Sequence, residues 1–218
     1  MITTLLFISL LGSFLSLDNS LVGNIMVSRP IVVGPLIGLI IGDLNLGIEI
    51  GFLMEFLWAD LLYAGTAIPI NLTLFTTIIL GASYILPHYD ESFTMFIILL
   101  TIPMIFICRQ IEIGLRLFNS FIANKLEVLI IRNKQYKRVY FSLFHGLFIF
   151  VFVNFILIFV CITLTSQLAK ILYLRLDIKF IKALSLTYNA LPIIGFFVLL
   201  HIFTHNFKTV FRNLFNKN

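Results

Sequence analysis

Of the 218 residues, 60% are hydrophobic, 15% aromatic and only 11% charged, and the mean hydropathy is +1.08. A soluble domain carries about 45–50% apolar and about 25% charged residues, and a chain this short leaves much of its surface wet. The composition excludes a soluble enzyme, a disordered protein and, despite a pI of 9.3, a nucleic-acid-binding domain. The fold class that remains is an all-α polytopic membrane protein.

Seven apolar segments can be drawn, at 2–17, 25–42, 44–63, 66–86, 93–117, 139–165 and 184–205. They predict about 6–7 hydrophobic helices, because a hydrocarbon core of about 30 Å takes about 20 apolar residues per span. The first segment lacks the basic start and small-residue cleavage site of a signal peptide and is read as mature protein. The second carries Pro30, Pro35, Gly34, Gly38 and Gly42. Proline removes a helix hydrogen bond, so this segment is either a kinked span or a broken, re-entrant one.

In the third segment, a helix at 100° per residue places Gly47, Gly51, Glu55 and Trp58 on one stripe, about 160–240° from Glu49. The glycines suit close packing of two backbones. The acids face a partner helix or a cavity, since charge in lipid is costly. Asp43 and Asp60 fall near the segment's ends and suit capping or interfacial roles. Glu55 beside Trp58 suits polyol binding: a carboxylate accepts hydroxyl hydrogen bonds while a ring covers C–H faces. A structural ion pair of Glu55 with Arg29, the only basic residue in the first hundred, is the alternative. Asn71, after Pro69, is a neutral group able to reach a hydroxyl.

Charge is polarised along the chain. Residues 1–100 hold one basic and seven acidic residues, and residues 101–218 hold fourteen basic and three acidic. The stretch 119–138 is therefore read as a basic cytoplasmic loop and 206–218 as a basic cytoplasmic tail. Residues 166–183 would then lie outside although they carry Lys170, Arg175, Lys179 and Lys182, so they are read as an amphipathic interfacial segment. No domain-scale linker divides residues 1–218, which are read as one domain. Cys108 and Cys161 sit singly in apolar runs. His201 and His205 lie one turn apart without a third ligand, so no metal or other cofactor and no catalytic residue is expected.

The run at residues 28–43 (SRPIVVGPLIGLIIGD), the glycine-spaced helix after it, EFLW at 55–58 and GTAIP at 65–69 resemble the IIC membrane subunit of mannose/fructose/sorbose-class sugar phosphotransferase systems. The resemblance is strongest over 18–75, where Asp18, Arg29, Pro30, Gly42, Asp43, Gly47, Gly51 and Glu55 carry it. Asn24 stands where relatives often have glutamine, and Asn71 matches a site that can be aspartate. The resemblance implies a non-enzymatic, multi-pass permease subunit of the bacterial inner (cytoplasmic) membrane. It would translocate a hexose or amino sugar with a IID membrane subunit, in an oligomer, coupled to phosphorylation by soluble IIA and IIB proteins. Substrate would meet Glu55, Trp58, Asn71, Asn24 and Asp18. Relatives have further membrane segments after the position of Phe196–His205, so the resemblance implies a C-terminally short member. Two other functions fit the residues: a non-transporting scaffold or regulatory paralogue of such a complex, and an ion-coupled carrier using Glu49 and Asp60.

Overall fold

In a computed structural model, residues 1–20, 25–58, 70–86, 90–133 and 136–215 are described, with side chains for 1–18, 25–58, 70–86, 90–122, 144–201 and 203–204. The described residues form seven helices and no strand: α1 (Ile2–Ser20), α2 (Pro30–Ile41), α3 (Leu44–Leu57), α4 (Leu72–Ile85), α5 (Glu91–Asn133), α6 (Tyr136–Tyr173) and α7 (Ile178–Phe215). The apolar parts Glu91–Ile122, Phe144–Tyr173 and Ile178–His201 are long enough to cross a membrane.

Helices α2 and α3, of 12 and 14 residues, are about 18 and 21 Å long at 1.5 Å per residue, too short to cross a 30 Å core singly. They form an antiparallel hairpin. Pro30 opens α2 at a position where its missing N–H costs nothing, and Gly42 closes it at φ 86°, a left-handed conformation open to glycine. Asp43 caps α3 by accepting the Leu46 N–H at 3.0 Å. The helices meet backbone to backbone. A Cβ on Gly47 would lie 2.5 Å from the Gly34 carbonyl oxygen and 2.7 Å from Gly38 Cα, and one on Gly51 would lie 2.7 Å from the Pro30 carbonyl oxygen. Of the two forms the proline-bearing segment could take, the chain adopts the broken one.

Helix α4 lies at the centre and touches α1, α2, α3, α5 and α6. Every residue from Thr73 to Ser83 is buried, and the Thr76 and Thr77 hydroxyls donate to the Leu72 and Thr73 carbonyls one turn back. Small residues let its neighbours approach: Gly12 of α1 meets Thr77 of α4 and Ile158 of α6, and Gly81 of α4 meets Ile162 of α6. On the outside, α5, α6 and α7 expose Phe106, Phe118, Phe148, Phe152, Phe196 and Phe197 to the surrounding medium.

Two sequence expectations change. Most of the stretch read as a basic loop, 119–138, is helical: α5 continues to Asn133 and α6 begins at Tyr136. No glycine or proline falls between Gly114 and Gly146, and lysine, arginine and glutamate are good helix formers, so the fall in hydropathy does not break the helix. The segment 166–183 is not one amphipathic helix. It holds the end of α6, a turn over 174–177 and the start of α7, where the Asp177 carbonyl accepts the N–H groups of Phe180 and Ile181.

Candidate functional site at the amino end of α4

A buried helix start leaves backbone N–H groups that other parts of the protein must satisfy or cover. Around the start of α4 this gathers groups from five segments. Near the end of α1, the Asp18 carboxylate accepts the Ile25 N–H at 2.6 Å and the Ser28 N–H at 3.1 Å, which fixes the turn into α2. Met26 in that turn has φ 70°, a left-handed conformation uncommon for a side-chain-bearing residue. The Thr73 hydroxyl of α4 donates to the Ser28 carbonyl at 2.6 Å, tying the same turn to the central helix.

Next to Ser28, the Arg29 guanidinium donates to Glu55 Oε1 at 2.6 Å. The pair joins the start of α2 to the last turn of α3 across the open end of the hairpin, and its side chains are 40% and 16% exposed. Glu55 Oε2 is buried and has no hydrogen-bond partner among the described residues. Trp58, at the end of α3, packs edge-to-face on Phe75 of α4, with ring centroids 5.9 Å apart at 74°. One turn before Phe75, Asn71 caps α4: its Oδ1 accepts the Leu74 N–H at 3.4 Å, and its Nδ2 donates to Glu112 Oε1 of α5 at 2.7 Å.

Four of the five residues expected to meet substrate, Asp18, Glu55, Trp58 and Asn71, therefore surround one end of one helix. Asn24, like Asp60, lies outside the described residues. Arg29, Pro30, Gly42, Asp43, Gly47 and Gly51 build the adjoining hairpin. Glu49 faces another way and accepts the Tyr188 hydroxyl of α7 at 2.8 Å. The choice left open for Glu55 is resolved in part: one carboxylate oxygen is committed to Arg29 and the other is not.

Glu112 was not singled out in the sequence. It is fully buried, and its Oε2 has no partner among the described residues. Its one visible signal was an acid inside a long apolar helix, a feature that by default faces the protein interior. Chemically the site offers paired charges, amide groups, carboxylate oxygens and an indole. Among the described residues, no three His, Cys, Asp or Glu side chains are placed to hold a metal ion.

Compared with known families, residues 2–213 match the one described as the sorbose-specific IIC component of the sugar phosphotransferase (PTS) system. The chain belongs to this IIC family. No curated protein matches the IIC chain. A solved structure described as a membrane protein shares its fold, with a TM-score of 0.72 at 15% identity over 93% of this chain and 80% of the other. The IIC protein is thus a multi-pass membrane component of a sugar PTS. Short, interrupted helices are how transporters bring polar groups into the membrane interior, provided protein covers the ends. In this IIC chain α1, α3, α5 and α6 surround the central helix and provide that cover.

Proposed function

We propose that this IIC chain is the permease subunit of a mannose-class system. It moves a hexose or amino sugar across the bacterial cytoplasmic membrane with a IID partner, in an oligomer, while soluble IIA and IIB proteins perform the phosphoryl transfer. The observation that carries this reading is the family match over residues 2–213. The site geometry supports it: Glu55 Oε2 is buried and without a partner among the described residues, one turn from Trp58 and beside the Asp18-bound turn. The sugar would be held by Glu55, Trp58 and Asn71, with Asp18 and Asn24 as further contacts. The basic stretch 119–138 and the tail 206–218 would face the cytoplasm, where phosphocarriers dock.

A Glu55→Gln chain keeps the size of the side chain and an oxygen for Arg29. It should insert normally and lose sugar binding. Binding and uptake equal to the parent chain would remove Glu55 from the sugar path.

A further inference from the structure

Helices α5 and α6 are antiparallel, and two contacts fix their register. Cys108 Sγ lies 3.5 Å from Cys161 Sγ, and Asn119 of α5 faces Gly146 of α6, where an added Cβ would lie 3.5 Å from Asn119 Oδ1. Interpolating between these contacts puts Glu112 opposite residues 155–156, so Asn154 is within about 2 Å of its level. The helical angle agrees: Asn154 lies about 20° from Cys161 on α6, and Glu112 lies about 40° from Cys108 and about 20° from Asn119, on the α5 face that meets it. Helix α4 gives the same level independently. Thr77 sits with Ile158 around Gly12 and Gly81 sits against Ile162, so Asn154 is level with Thr73, two residues from Asn71.

Asn154 is fully buried, and neither Oδ1 nor Nδ2 has a partner among the described residues. With Glu112 Oε2, that makes three orphaned polar atoms at one level of the bundle interior. Buried polar groups in native proteins are almost always satisfied, by protein, by water or by ligand. Asn154 presents both donors and an acceptor, and Glu112 an acceptor. Two hydroxyls on adjacent carbons would engage all three atoms: one donates to Glu112 Oε2 while accepting from Asn154 Nδ2, and the other donates to Asn154 Oδ1.

We propose that Glu112 and Asn154, with Asn71 held between Glu112 and the start of α4, form a second hydroxyl-binding subsite for the carbohydrate, deeper in the bundle than Glu55. This rests on the permease reading above.

The test uses the full chain in lipid nanodiscs, titrated with sorbose, mannose, fructose and glucosamine, and then with single deoxy analogues of whichever sugar binds. Asn154→Leu fills the same space without the polar atoms, so its melting temperature should rise in the absence of sugar while affinity falls roughly tenfold or more. A deoxy analogue lacking either of the two hydroxyls that meet Asn154 should discriminate less between the parent chain and the Leu variant than the intact sugar does. Glu112→Gln, which changes charge and not size, should weaken binding without lowering the melting temperature. Equal loss for every analogue would show a structural role, and unchanged affinity would show that the atoms hold water; either result overturns the subsite while Glu55→Gln still separates binding from non-binding chains. A parent chain that binds none of the four sugars overturns the permease reading and the subsite with it.

Discussion

The same change, glycine to alanine, should have three different outcomes at three positions. At Gly47 the new methyl would sit 2.5 Å from the Gly34 carbonyl oxygen, 2.7 Å from Gly38 Cα and 3.1 Å from Gly38 N. These are backbone atoms, which no rotamer change can move. Non-bonded heavy atoms settle at about 3.5–4.0 Å, so α2 and α3 must part by about 1 Å. That movement loosens Val33, Ile37 and Ile50, all fully buried beside the contact. Overpacking of this kind costs typically about 2 kcal/mol, a fall in melting temperature of about 4–8 °C for a chain of this size. At Gly42 there is open space but φ is 86°, and the left-handed conformation costs alanine about 1 kcal/mol. At Gly114, inside α5, nothing lies within 4 Å, and replacing a helical glycine gains about 0.5–1 kcal/mol. Thermal unfolding of the three purified variants in one detergent should rank them Gly114→Ala above the parent, Gly42→Ala modestly below it and Gly47→Ala lowest. A Gly47→Ala protein melting with the parent, or above Gly114→Ala, would refute the backbone contact of the hairpin.

Three further outcomes are expected. Asp43→Ala removes the cap of α3 and should lower stability by about 1 kcal/mol, measured as a shift in the denaturation midpoint, with Asp43→Asn largely restoring it. A double-mutant cycle of Arg29→Ala and Glu55→Ala should return a coupling of no more than about 1 kcal/mol, because Arg29 is 40% exposed and solvent screens the pair; a coupling well above about 1 kcal/mol would contradict that screening. Treating membranes with a lipid-soluble thiol oxidant should link Cys108 to Cys161 within one chain, seen as loss of two alkylatable thiols. Two fully reactive thiols after oxidation would contradict the α5–α6 register.

The sequence made the helices legible where apolar runs and glycine spacing are strong. The seven apolar segments correspond to seven helices, and the stripe of Gly47 and Gly51 opposite Glu49 is the face that α3 turns to α2. Helix ends were harder. Hydropathy extends the third segment to residue 63 whereas α3 ends at Leu57, and α5 and α6 continue through residues that hydropathy marks as a loop. Hydropathy reports the solvent a segment prefers, and a helix can leave lipid without ending. The α6–α7 turn had one available signal, Asp177 just ahead of an apolar run, in the position of a helix N-cap. Of the site, the half built from residues 18–71 was legible because its contacts are close in sequence or carried by a motif. Glu112 and Asn154 were not. Their significance lies in the antiparallel pairing of two long helices, and nothing in the spacing of 112 and 154 announces it.

The glycine contact between α2 and α3 also bears on how the protein is made. A stretch of 12 or 14 residues is too short to partition into the bilayer as an independent span, and its helix ends need protein cover once inside. The two helices must therefore enter as a pair and be held until α4 and its neighbours close around them. A residue change that separates them therefore also acts during biogenesis, and lowers the share of chain that integrates. In a growth screen on sugar, Gly34 and Gly47 would then be indistinguishable from residues that touch the substrate. Measuring the amount of chain retained in the membrane beside its uptake rate tells the two apart.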